Sequence, residues 1–161
     1  MVTAPLCSKH LLVDLCRANA GILAHKVLLM DVLTCKYGAK QSYELFQTPC
    51  KIVKASIGQH YRHSLDHMER AAATGNNEIH YDVRQRNTDD EHDWDKAKTR
   101  IDAIQQVLNE LSNEEDDLAA AAQKTVTACF MLSGDSSRES YLPTTVAREL
   151  GFAAHHAIHH L

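Results

Sequence analysis

Turn-forming residues are scarce in this chain: three prolines and six glycines among 161 residues. So few breakers favour long helices over a turn-rich β fold. The five cysteines (Cys7, Cys16, Cys35, Cys50 and Cys129) are odd in number, and no two stand in C-x-x-C spacing. Neither a disulfide framework nor a zinc ribbon is therefore expected, and reduced thiols in a cytoplasmic protein are the simplest reading. The N-terminus lacks a charged segment leading into an apolar stretch, and no uninterrupted apolar run approaches the ~18 residues that span a bilayer. A membrane partner is not expected. The formal net charge is −4, and Lys51 and Lys54 are the nearest thing to a basic cluster. Nucleic acid is not an expected partner either, because a phosphate-binding domain shows a basic face. No G-x-S-x-G and no nucleotide-binding glycine loop occurs, which leaves triad hydrolysis and nucleotide chemistry without support.

What the chain has is histidine, eleven in all. A purification tag would be one run. Here the residues form two groups far apart, His60, His63 and His67, then His155, His156, His159 and His160. Grouped imidazoles make metal binding the first idea to test. With 44% hydrophobic and 24% charged residues, the chain reads as one globular domain over residues 1–161.

Apolar residues at three- and four-residue steps predict a first helix from about Leu6 to Tyr37, through Leu11, Leu12, Leu15, Ile22, Leu23, Val27, Leu28, Met30 and Leu33. Gly38 stands just past its last turn, and a connection with Pro49 follows. A second helix is predicted from about Ser56 to Ala73 on the stripe Ile57, Tyr61, Leu65, Met68 and Ala72, closed by Thr74-Gly75-Asn76-Asn77. Residues 80–87 read as irregular. A third helix spans about Asp89 to Leu111, with Trp94, Ala97, Ile101, Ile104, Val107, Leu108 and Leu111 on its core face. Thr125-Val126-Thr127, Cys129-Phe130, the turn Ser133–Ser137 and Tyr141-Leu142 predict a short hairpin. A fourth helix starts at Thr144 or Thr145, either able to cap it, and runs to Leu161. Ending in mid-stride, it suggests a longer natural chain.

On a helical wheel the fourth helix buries Val146, Leu150, Ala153, Ala157 and Leu161. His156 and His160 lie on one flank together with Glu149, while His155 and His159 point away beside Arg148. The i, i+4 spacing of His156 and His160 brings two imidazoles to one side, where their nitrogens can fill adjacent corners of a coordination sphere. A third ligand must come from the second helix. There periodicity places His60 and His67 nearer the apolar stripe than His63, so His60, His63 and His67 all stay open.

Ser56-Ile57-Gly58-Gln59-His60-Tyr61-Arg62-His63-Ser64-Leu65-Asp66-His67 resembles the second helix of DinB/YfiT-like proteins, in which a histidine stands three residues before an aspartate. His156-Ala157-Ile158-His159-His160 resembles the family's closing H-x-x-H-H. Tyr81–Arg86 and Arg148-Glu149-Leu150 look like elements of one branch. The likeness covers roughly residues 56–161. It implies a mainly α fold, a four-helix bundle with a short β-hairpin before the last helix, and a homodimer. It also implies a three-histidine metal centre made of His63, His156 and His160. Some members of that family are thiol-dependent transferases, others isomerases. The resemblance thus suggests a divalent ion (zinc, nickel or iron), with a small-molecule substrate or a low-molecular-weight thiol as partner. A metal-binding stress or sensor protein without turnover is the alternative.

Neighbouring residues have two readings each. Asp66 could orient a ligand imidazole or face solvent. Glu149 could ligate or accept a proton, or pair with an arginine. Arg84 and Arg86 could bind an anionic substrate with Asp82 orienting one of them, or knot the 80–87 loop together. Tyr81 lines a pocket or packs; Trp94 and buried Cys129 are read as core.

Overall fold

In a computed structural model of the chain, the structure describes residues 10–73, 75–83, 85–113, 117–132 and 138–160. The expected helical residues before His10, the turn Ser133–Ser137, and the roles given to Arg84 and Leu161 lie outside them.

The architecture is mainly helical with one small sheet. Helix α1 (Leu11–Tyr37) stops at Gly38, whose φ of +79° few L residues adopt. A short helix α2 (Ala39–Gln47) then fills most of what the sequence suggested was a connection. It owes its place to Phe46, fully buried and edge-on to Tyr61 and Trp94 with ring centroids 5.8 Å from each.

Helix α3 (Ile57–Ala72) opens with a capping box: Gln59 N–H donates to Ser56 Oγ at 3.1 Å, and Ser56 N–H to Gln59 Oε1 at 3.0 Å. Gly58 is required by its neighbours, because a Cβ there would stand 2.1 Å from the carbonyl oxygen of Glu91. The third predicted helix is divided. A 3-10 turn (Asp89–Glu91) precedes α4 (Trp94–Asn113), and Asp93 Oδ1 accepts from the backbone N–H of Asp95 and Lys96 to start the helix anew. A further short helix α5 (Leu118–Gln123) is capped by Asp117.

The hairpin exists as β2 (Thr125–Phe130) against β3 (Ser140–Thr145). Residues 81–83 and 85–87 are irregular as the sequence suggests, but His80 is not: Glu78–His80 form a strand β1 that runs parallel to β2, with His80 in register with Cys129. Only Ile79 of β1 is buried, so no alternation marks the strand; the ladder to central β2 makes it. Pro143 sits in edge strand β3, where its missing N–H leaves no ladder bond unmade on the outer side.

Helix α6 (Val146–Ile158) is capped by Thr145, whose Oγ1 accepts from Arg148 N–H. Contrary to the expectation that it runs to the end, the helix closes at Ile158. His159 and His160 donate to carbonyls three residues back, His156 and Ala157, which tightens the last turn. His160 thus stands on a turn just past the helix.

Helices α1, α4, α3 and α6 touch in ring order, with the sheet at one end. The main core gathers Leu12, Leu23, Leu65, Met68, Ile101 and Leu150 among others. Two residues placed in the core by periodicity are on the surface: Leu28 is 56% exposed and Val107 40%. By length and composition α1 is apolar enough to cross a membrane, which uninterrupted runs did not reveal. Its inner face nevertheless packs on α6 through polar groups. Asn19 Nδ2 donates to the Leu150 carbonyl, and Lys26 Nζ to that of His160.

Candidate metal centre

Five imidazoles meet where α3 faces α6 and the turn after it. His63 Nε2 and His156 Nε2 are 2.9 Å apart, and His60 Nδ1 and His160 Nδ1 are 3.0 Å apart. The His160 ring lies 4.8 Å from His63 and 4.9 Å from His156, joining the two pairs. His67 completes the set, with its ring 4.2 Å from His156 and 5.0 Å from His63. One donor nitrogen each from His63, His67 and His156 can be chosen so that all lie within 4.8 Å of one another. This three-histidine cluster could hold a metal ion.

The donor chemistry fits a divalent transition metal. Two nitrogens bound to one ion at about 2.0–2.1 Å stand roughly 2.9 Å apart at a right angle and about 3.4 Å apart at the tetrahedral angle. The His63–His156 spacing of 2.9 Å lies at that lower limit, and imidazole donors suit zinc, nickel and iron.

Of the residues singled out from the sequence, His63 and His156 are together. His160 is in ring contact with both but turns Nδ1 toward His60. His67, one of the open alternatives, lies with the pair. His155 and His159 are exposed, as the wheel placed them. His63 meets α6 although it lies off the apolar stripe, because α3 is packed on several sides and buries Arg62, Asp66 and His67 too.

His160 has its pKa lowered to about 4, by burial first and then by the neighbouring His156, His60 and Lys26. At neutral pH it is an uncharged imidazole with a lone pair to offer. Lys26 was missed in the sequence, though a lysine on a mostly apolar helical face was a visible signal. It is fully buried, 4.4 Å from the Tyr61 ring centroid, with its pKa pushed down by burial to about 8.

Around the imidazoles, charged groups are engaged elsewhere. Asp66 neither faces solvent nor joins the cluster: its oxygens accept from Arg62 Nη1 at 2.8 Å and Arg100 Nη2 at 2.7 Å. Arg62 Nε also lies 2.9 Å from Glu91 Oε1, off the N–H axis but close enough to pair. Glu149 is fully buried, accepting from Tyr81 Oη, Thr144 Oγ1 and Arg148 Nη1, each at 2.7 Å. It therefore serves as an anchor, the arginine-paired reading. Tyr81 packs, stacked between His67 and Phe130 at 5.0 Å from each. Burial and the bond to Glu149 push its pKa far up, so it stays a donor. Asp82 accepts from Met131 N–H at 2.7 Å, holding the end of β2.

A cavity of about 500 Å³ opens beside the cluster, walled by His60, His63, His160, Arg62, Arg86 and Glu91 among others. Arg86 is exposed at its rim, a place from which a guanidinium can meet an anionic group.

No protein-family model, curated protein or solved structure matches the chain.

Proposed function

We propose that the chain is a divalent-metal-dependent enzyme of the DinB-like kind, a transferase that joins a low-molecular-weight thiol to a small electrophile. The fold is then that family's four-helix bundle, and the ligands are His63, His156 and His160. The observation that carries the reading is that imidazoles from α3 and α6 converge at the wall of an open cavity. His160 is favoured over His67 as third ligand because His63 and His160 both face that cavity, whereas His67 is 93% buried by its 7% exposure. An enzyme needs a coordination position that substrate can reach. A divalent ion held by neutral imidazoles lowers the pKa of a thiol that binds it, so that a thiolate nucleophile exists near neutral pH.

The chain's own residues do the remainder. Lys26 Nζ fixes the His160 carbonyl from below. Glu149 holds Tyr81, and Tyr81 stacks on His67, so the buried side of the cluster is rigid. Arg86, exposed at the rim, offers a guanidinium to a carboxylate on the thiol or the electrophile, while Arg62 in the cavity wall is neutralised by Asp66 and Glu91. The same reading includes a homodimer in solution, which sedimentation would report.

The test is turnover. Protein loaded with zinc, nickel or iron is offered glutathione-like thiols with a panel of alkyl and epoxide electrophiles. Thiol consumption that needs both metal and His156 supports the proposal. Metal-loaded protein that turns over nothing, and whose cobalt spectrum ignores added thiol, would instead fit a metal-binding stress or sensor protein. His67→Ala and His160→Ala separate the two ligand sets, since only the true third ligand costs the ion.

A further inference from the structure

A second group of soft and hard donors lies at the start of the sheet, on strands that the histidine cluster does not use. Glu78 and His80 are two residues apart on β1 and so share one face of it. The parallel pairing puts His80 in register with Cys129 on β2. One donor atom each from Glu78, His80 and Cys129 can be chosen so that all lie within 4.8 Å of one another. From this geometry we infer a second metal site, specific for zinc-like ions, with Cys129 Sγ, His80 Nε2 and a Glu78 oxygen as ligands and Glu139 as the carboxylate that orients His80.

Three observations carry it. His80 Nε2 stands 3.4 Å from Glu78 Oε2, and a nitrogen and an oxygen on one tetrahedral ion at about 2.0–2.1 Å are roughly 3.4 Å apart. On the other side of the ring, His80 Nδ1–H donates to Glu139 Oε2 at 2.6 Å. A carboxylate on the far nitrogen of a histidine fixes the tautomer that leaves Nε2 free to ligate, the arrangement common behind zinc-bound imidazoles. Finally, the Glu139 carboxylate is only 11% exposed, and its Oε1 is buried with no hydrogen-bond partner among the described residues. A carboxylate held in so little water behind the ring raises the basicity of the imidazole toward an ion on its far nitrogen. The ligands differ in access: Cys129 is fully buried, while Glu78 is 56% exposed. The ion can enter from the Glu78 side, and the fourth position faces solvent there.

The same imidazole between two carboxylates could hold a proton instead, as a surface ion triad. The thiol separates these cases, because a buried Cys129 contributes to a metal site and adds nothing to a triad. Binding a metal displaces the thiol proton, so uptake strengthens with pH.

Cobalt(II) is the probe, added to the full chain in a phosphine reductant so that no added thiol competes. The site predicts a thiolate-to-cobalt charge-transfer band in the near ultraviolet. The band is lost in Cys129→Ser and in His80→Ala, each of which binds one ion fewer than wild type. Glu139→Gln keeps the band but weakens cobalt binding at this site about 10–100-fold. His156→Ala leaves the band intact, so failure of the histidine centre and failure of this site give different spectra. A wild-type protein without the band, or a band unchanged by both Cys129→Ser and Glu78→Gln, overturns the inference. Should Cys129→Ser not fold, Glu78→Gln at the exposed ligand decides: weaker cobalt binding with an altered band supports the site, and no change removes it.

Discussion

Helix α3 carries two polar faces within the same four turns, and they are built on opposite principles. On one, Arg62, Asp66 and Glu69 meet Arg100 of α4 together with Asp90 and Glu91 of the 3-10 turn, guanidinium to carboxylate throughout. On the other, His60, His63 and His67 meet His156 and His160, ring to ring and nitrogen to nitrogen. The first face is closed by its own opposite charges. The second gathers lone pairs, and in a neutral imidazole pair one ring must donate for the other to accept. The first arrangement holds helices together; the second could hold a cation.

The comparison can be broken most strongly on the ionic face. Arg100→Met removes the partner of Asp66, Glu69 and Asp90, and breaking a buried pair costs about 3–5 kcal/mol. The low end is expected, because the Arg100 side chain is 22% exposed and Arg62 still reaches Asp66. Urea unfolding should show this loss equally in metal-free and metal-loaded protein, with metal affinity unchanged. Gly58→Ala drives a methyl into the Glu91 carbonyl and Phe46, so the 3-10 turn must shift. Overpacking of this kind costs about 1–3 kcal/mol, read in the same unfolding experiment. Metal stoichiometry should again survive, since the shift falls on the ionic face.

Tyr81→Phe probes the support behind the histidines. Glu149 would keep Thr144 and Arg148 but lose its third donor, a change worth about 1–2 kcal/mol. Thermal melts should fall while the ring stack on His67, and the bound ion, persist. The smallest effect is that of pH on metal-free protein. Burial and the neighbouring imidazoles lower the pKa of His160 from the ordinary 6.5 to about 4. Between these values the unfolded chain binds more protons than the folded one, so stability rises with pH. The contribution is complete above pH 6.5 and is lost as pH falls toward 4. Because His160 is only half-buried, screening keeps the slope shallow. It should flatten in His160→Gln, and an unaltered slope would assign the effect to other groups.

Periodicity found the four long helices because each carries an apolar stripe over several turns, and the hairpin was legible in the β-favouring residues from Thr125 to Phe130 and the turn composition that follows them. It missed α2, whose nine residues depend on Phe46 reaching a distant aromatic pair. It missed β1, whose three residues have one buried side chain and exist through the β2 ladder. At the histidine cluster, spacing alone put His156 and His160 on one flank but ranked His63 below His60 and His67. A wheel assumes one buried face, and α3 has several. The split between Asp66, tied to two arginines, and the histidines beside it depends on which helix lies opposite each face. No local spacing contains that. Cys129 stands about fifty residues beyond Glu78 and His80, so the three were invisible as a set until the strands paired.

The central claim is that the histidine face holds a metal ion and the ionic face does not take part. The direct measurement is metal per chain by elemental mass spectrometry after saturation with zinc and desalting, for wild type, His63→Ala, His156→Ala and Arg100→Met. The account predicts that both histidine variants retain one ion fewer than wild type and that Arg100→Met retains the same number. Equal metal in wild type and both histidine variants would contradict it, and would leave the imidazole contacts as packing between two helices.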